Sequence, residues 1–457
     1  MTGLVGPEIG NADRAFEHRD ARAFLQAALA RARSSPVAIV LPAPLGAPLA
    51  LLERLRRGDA FHLHDERRAL TTLGATHIQS LAGEGRFRDA RHSYEASLAE
   101  LVTVAHERCA DTRPIWTFGF SFAAGRARDP WVPLGDGLLT LPRWTHRTEG
   151  GSASLTLVVG RDEPEGATLA LAELEAMWEA LSRRVSPLVD AEPATARHLD
   201  LAHWERGLAD VKARIEGGTA AKVVVARRST IVAQRDLEPV QVLRRLERPG
   251  ATLFCVRRRG VAFVGATPER LFRKRGRHVL TEAVAGTVSL ERDPSGTRLL
   301  TSTKDVHEHQ LVVDGITQAL ASLRSDVSLG TRGLRTIGSI AHLATAIDAR
   351  VPAETSAFEL LEALHPTPAV GGLPRAAALR WIVDNEVDRG WYAGPIGWID
   401  ADGNADAHVA LRSALLVGAR AYAYAGCGVV DGSDPETEYA ETSLKLAPML
   451  AALGVRA

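Results

Sequence analysis

Apolar positions along this chain recur with two periods, and those periods sort it into helices and strands. Residues 20–34 (DARAFLQAALARARS) carry their apolar side chains on one helical face, and VAIVLPAPL (37–45) then reads as a strand. The stretch 139–160 alternates apolar and polar positions around a Gly150-Gly151 turn, the pattern of a β-hairpin. Helical spacing returns over 167–185 and 202–216, the second run ending at the stop signal Gly217-Gly218. A β-branched strand, AKVVVARRSTIVA (221–233), follows directly, and ATLFCVRR, GVAFVGA, ALRSALLVG and RAYAYAG fit strands as well. Further helices are predicted over 303–323, 356–364, 375–388 and 436–453. Neighbouring strands look hairpin-connected, so the pattern predicts a mixed α/β (α+β) domain with much antiparallel sheet, not a strict βαβ alternation. No repeat or low-complexity tract interrupts it.

Composition narrows the class. Apolar residues make up 46% of the 457 and charged residues 24%, ordinary values for a soluble globular enzyme. Lys+Arg and Asp+Glu both number 55, and the short arginine runs are scattered, so no nucleic-acid footprint is present. Cys109, Cys255 and Cys427 are odd in number and far apart, which excludes a disulfide framework and favours a reducing, cytoplasmic setting. The N-terminus lacks an apolar signal-peptide core, and runs such as 167–181 are broken by carboxylates before they could span a membrane. A monomer without a membrane or nucleic-acid partner is expected. The first 200 residues hold few unusual polar groupings and read as scaffold.

The chemistry gathers in six later segments: GATPERLF (265–272), TEAVAGT (281–287), KDVHEHQLVVD (304–314), LHPTPAVGGLPR (364–375), RGWYAGPIGW (389–398) and AGCGVVDGSDPETEYAETSLK (425–445). Glu438 and Glu441, three apart, share one helical face while Glu436 points elsewhere. A solvated face explains such a pair as readily as a cation does, and Mg²⁺ is the cation that suits one or two carboxylates plus substrate oxygens. Glu308 is either a surface residue or a third acid, and its neighbours His307 and His309 face different ways, so no zinc-type HExxH pair exists. Lys222 opens an apolar strand, where a lysine either snorkels or loses its proton readily enough to act as a base. Glu269 is either a helix-start carboxylate or an acid. AGCGVVDG lacks the third glycine of a dinucleotide fingerprint and reads as a turn with N–H groups open to an anion. Arg412, on the strand VALRSALL before it, needs an anionic partner, either substrate or structural. The prolines and glycines of HPTPAVGG make a rigid turn without a nucleophile. Together these residues describe an enzyme that uses carboxylates, Mg²⁺ and an arginine on a small anionic substrate.

In order and wording these six segments resemble the chorismate-utilising enzymes, most closely the isochorismate synthases, over about residues 205–455. LHPTPAVGGLPR carries the isochorismate synthase form. Gly371-Gly372 and Cys427 depart from it, where Cys-Gly or Ser-Gly and an alanine are usual. The resemblance implies one large domain of two packed, mostly antiparallel sheets surrounded by helices, with residues 1–200 a variable scaffold and 201–457 the chorismate-binding core. It implies Lys222 as general base toward water attacking C2, and Glu269 as general acid toward the departing C4 hydroxyl, one pKa lowered and the other raised by desolvation. Glu308, Glu438 and Glu441 match the Mg²⁺ ligands. Tyr392 and Arg412 match the residues gripping the pyruvyl side, and Gly286, Thr287, His342, Gly426, Cys427, Gly428 and Lys445 match further substrate contacts. The product would serve menaquinone biosynthesis, which suits the extended N-terminal half better than a siderophore pathway does. The rivals are a salicylate synthase, an anthranilate- or aminodeoxychorismate-type subunit, and a non-catalytic chorismate-binding protein.

Overall fold

The computed structural model describes residues 4–5, 16–31, 36–56, 58–125, 127–161, 166–198, 201–291, 293–338 and 340–456. Residues 32–35, at the end of the first predicted helix, lie outside them. The strands that frame the site begin with β1 (Ala60–His64), β2 (Arg68–Leu81), β3 (Ile115–Phe120) and β4 (Gly137–Glu149). The second half adds β5 (Lys222–Val232), β6 (Thr252–Arg258), β7 (Val261–Thr267), β8 (Arg270–Arg275) and β9 (His278–Ser289). After these come β10 (Gly333–Ile337), β11 (Ile340–Arg350), β12 (Pro395–Asp400), β13 (Ala405–Val409), β14 (Ser413–Val417) and β15 (Arg420–Val429).

Antiparallel pairing links these strands into two arms that share β4. One arm runs β4–β2–β1–β6–β7–β14–β15–β5. The other runs β4–β3–β12–β13–β8–β9–β11–β10. The two sheet layers are thus one hydrogen-bonded surface folded at β2–β4, where the register shifts between Ala75 and His77 and Gly74 adopts a φ of 64°. A bulge of this kind bends a strand without ending its ladder. Residues before 200 therefore supply the fold line, and residues after it supply both facing edges.

Two helices close the open end. α1 (Thr303–Ser322) begins where Ser302 caps it by accepting from the Asp305 N–H at 3.2 Å. Its buried face, Glu308, Val312 and Ile316 with His309, Val313 and Leu320, follows the helical period and carries a carboxylate into the interior among apolar neighbours. α2 (Pro435–Ala452) starts with proline at its first position and with Asp434 accepting from Thr437 N–H at 2.9 Å. Among the described residues no helix is long and apolar enough to cross a membrane. The three cysteines are buried and free.

Close backbone approach matters at the sheet junction. Gly390 has a φ of +51°, and a Cβ there would lie 2.0 Å from Cδ2 of the buried Trp131. Gly390→Ala is expected to cost roughly 1–3 kcal/mol through overpacking. A lowered urea midpoint checks this, and an unchanged midpoint would mean that Trp131 can move aside.

Candidate active site between the sheet arms

The two arms and α1 and α2 enclose a cavity holding about 820 Å³ of non-atom space, some of it open to solvent. Lys222, Glu269, Gly286, Thr287, Glu308, His342, Tyr392, Arg412, Gly426, Gly428, Glu441 and Lys445 all line it. Cys427 and Glu438 do not.

Lys222 is the first residue of β5 and only 1% exposed. Its stem has room to reach the cavity because Gly428 of β15, two rungs along, has no side chain: a Cβ there would stand 2.7 Å from Lys222 Cε and 2.0 Å from Glu308 Oε1. The burial expected of Lys222 is present, and Nζ lies 2.8 Å from Glu308 Oε1. A buried charge needs such a partner.

Glu269 does not start a helix. It sits in the short crossover from β7 to β8, where the chain passes from one arm to the other. Thr267 Oγ1 donates to Val409 O at 2.5 Å and accepts from Glu269 N–H at 3.2 Å, which pins the crossover to β13. Burial, reinforced by the negative charge of Glu282, pushes the Glu269 carboxyl up to about 7, with Lys222, Arg335 and Lys445 opposing.

The 425–428 stretch is not an anion-binding turn. Gly426, Cys427 and Gly428 lie inside β15, paired with Ala226, Val225 and Val224. Gly426 and Gly428 contribute missing side-chain volume, not free N–H groups. Cys427 is buried away from the cavity wall, and burial followed by Glu438 and Glu441 raises its thiol well above the ordinary value. Arg412 is likewise not within a strand: it lies between β13 and β14 with a φ of +50°, donating from Nη1 to Lys445 O at 3.1 Å. Burial lowers its pKa to about 10, with Tyr392 and Glu441 opposing, so it remains a cation at neutral pH.

Opposite, a register shift between Ala285 and Val288 on β9 sets Gly286 at a φ of +69°. His342 Nδ1 lies 2.9 Å from Gly286 O and 3.2 Å from Thr287 Oγ1. A carbonyl only accepts, so Nδ1 carries the proton and Nε2 is the acceptor. Burial, with Arg412 and Lys445, lowers the His342 pKa to about 3, so this ring is neutral. Tyr392 is buried and stacks on Tyr424 with centroids 5.2 Å apart.

Each of the three acids proposed to hold a metal is closed on a lysine. Glu308 meets Lys222, Glu441 meets Lys445 at 2.6 Å, and Glu438, only 1% exposed, meets Lys304 at 2.5 Å. Glu438 and Glu441 face one way on α2 and Glu436 is exposed, as the helical spacing requires. Burial and then Glu441 raise the Glu438 carboxyl. Glu441, which burial alone would raise, is pulled below its usual value by Lys445. Among the described residues no three acidic, histidine or cysteine groups form a ready-made metal cluster. The donor chemistry nevertheless fits a hard divalent ion: oxygen ligands only, mutual repulsion between two of the acids, and a cradle at Gly428 that a Cβ would fill.

Sequence reasoning missed three residues. Arg389 lines the cavity but is a staple, donating to Val370 O, Val224 O and Glu386. Arg335, on β10, lines the cavity and pairs with Glu282. Lys304 pairs with Glu438. Arg389 and Lys304 lie inside segments already singled out, but nothing in their spacing announces their partners.

A model of the family described as "Chorismate binding enzyme" matches residues 23–454. The chain is 39% identical over 389 residues to the salicylate biosynthesis isochorismate synthase of Pseudomonas aeruginosa, covering 81% of this chain and 80% of that one. It is 32% identical over 427 residues to the isochorismate synthase MenF of Bacillus subtilis, covering 87% and 88%. Among solved structures, the menaquinone-specific isochorismate synthase of Escherichia coli superposes with a TM-score of 0.76 at 25% identity, covering 96% of this chain and all of that one.

Glu269 yields a prediction independent of turnover. Its folded pKa of about 7 exceeds the unfolded 4.5, so the native state binds the extra proton and stability falls as pH rises from 4.5 through 7. Glu269→Gln should remove that fall, worth on the order of 2–3 kcal/mol by pH 8. Melting curves of the two proteins from pH 5 to 8 should diverge in the variant's favour; parallel curves would count against a raised carboxyl.

Proposed function

The chain belongs to the family of chorismate-binding enzymes, and on that premise we propose that it is an isochorismate synthase, converting chorismate to isochorismate with Mg²⁺. The observation that carries this reading is a carboxyl held near neutral pKa on one wall of the cavity whose other wall presents a buried lysine. A base and an acid that differ in protonation state at neutral pH are what a hydroxyl exchange across a ring requires.

In this reading Lys222 takes a proton from water as the oxygen bonds to C2. The ring double bonds shift, the C4–O bond breaks, and Glu269 delivers its proton so that the hydroxyl leaves as water. The ammonium formed has Glu308 2.8 Å away to balance its charge. Arg412 supplies a cation for a substrate carboxylate and stacked Tyr392 a flat wall beside it. His342 offers a neutral acceptor, with Thr287 beside it. Glu308, Glu438 and Glu441 are the residues that would hold Mg²⁺, which when bound supplies the charge that fixes the ring carboxylate. Gly426 and Gly428 leave open space beside these groups, room that a substrate ring and the ion held by the acids would use.

We assign the product to menaquinone biosynthesis in the cytoplasm, by a chain acting as a monomer. The likeness over the whole length of the menaquinone-specific protein supports the choice of pathway. Deletion of the gene with cellular menaquinone unchanged would refute it.

Chorismate incubated with the purified protein should give isochorismate with Mg²⁺ and none with EDTA, read by chromatography. Salicylate plus pyruvate would move the chain to the eliminating branch, and no conversion would remove the enzyme claim. Lys222→Ala and Glu269→Gln should each lower kcat by at least about 10²-fold. Because Glu269 must be protonated, kcat/KM should fall as pH rises through about 7, and a flat profile there would exclude Glu269 as the acid.

A further inference from the structure

Lys304 has no task in the reaction just described. It stands in the first turn of α1, does not line the cavity, and places Nζ 2.5 Å from Glu438 Oε1. Glu438 is 1% exposed, whereas the Lys304 side chain is 29% exposed, so the pair runs from the interior toward solvent. The other two acids of the group also act on this ammonium, since Glu308 and Glu441 both stabilise its charge. Glu308 and Glu441 are themselves closed on Lys222 and Lys445, which face the cavity. Lys304 is thus the ammonium that meets the acid group from outside the cavity.

We propose that Lys304 is an internal counter-ion, standing in for the divalent cation in the metal-free protein and displaced toward solvent when the metal takes Glu438. This rests on the metal-dependent reading given above. An ammonium and a Mg²⁺ ion compete for the same carboxylate oxygens, and two cations a few ångströms apart repel. A flexible four-carbon stem on a side chain that is 29% exposed lets the ammonium leave without unpacking the core. The resident ammonium keeps the buried acids neutralised, and it makes metal binding weaker than the same acids alone would give.

The test is Mg²⁺ binding to the full-length protein without chorismate, by calorimetry, in wild type and in Lys304→Met. Metal Kd should fall at least tenfold in the variant. Its melting temperature in EDTA should drop below that of wild type, and Mg²⁺ should restore most of the difference. Lys304→Gln, which still donates to Glu438, should move Kd the same way and serves if the Met variant does not fold. Lys304→Arg, which keeps the charge, should bind Mg²⁺ no more tightly than wild type. Equal or weaker affinity in the Met and Gln variants, with wild type still binding Mg²⁺, overturns the proposal alone. So does an Arg variant as tight as the Met variant. No Mg²⁺ binding to any of these proteins, even with chorismate present, overturns the metal reading and the proposal together.

Discussion

Three lysine–carboxylate contacts, closed where two sheet arms and two helices meet, set the terms for the rest of the structure. Lys222–Glu308, Lys304–Glu438 and Lys445–Glu441 bring ionisable groups into a region partly shielded from solvent. Breaking one side of such a pair leaves a buried charge uncompensated, a loss of roughly 3–5 kcal/mol where both partners are deep. Lys222 and Glu308, at 1% and 8% exposure, are that case, while the less buried pairs are screened more. Gly428 of β15 follows from this. Any side chain at 428 would occupy the space in which the first pair meets.

The sheet explains why these groups converge. Because both arms issue from β4 and are joined again by the β7-to-β8 crossover, the cavity is bounded by one continuous ladder and does not depend on two independent layers docking. Glu269 occupies that crossover, so its position is tied to the ladder on both sides through Thr267 and Val409. Lys222 is held at the far edge of the first arm, against Leu373. Acid and base therefore belong to different stretches of one covalently and hydrogen-bonded frame, and their separation is a property of the frame.

Much of this was legible in the chain. Local periodicity placed the helices it predicted to within a few residues, and the hairpin around Gly150-Gly151, because both depend on side chains close in sequence, but it did not find the helices Arg86–Glu100 and Pro239–Leu246. The family resemblance brought twelve cavity-lining residues together before any geometry was known. What local pattern cannot show is the partner across the fold. A glycine run reads as a turn until a second strand, β5, is found beside it, as at Gly426 and Gly428. Arg412 read as a strand residue because apolar neighbours surround it on both sides, and its left-handed backbone goes with the Lys445 carbonyl that it meets at the sheet end. Lys304 sat unremarked just past the cap of α1. Its meaning lies in Glu438, reached only after the chain has passed through the remaining strands of the framework and returned as α2.

The edge strand β10 adds a last consequence. Among the described residues it is bonded along one side only, to β11; it is five residues long and half-exposed, and it carries Arg335 and Ile337 on the cavity wall. The strands deeper in either arm are bonded along both sides. Displacing β10 at the rim would open only a single short ladder and the Arg335–Glu282 contact, whereas displacing a strand deeper in either arm would break ladders on both of its sides. The frame thus has, beside the cavity, a margin held by one short ladder.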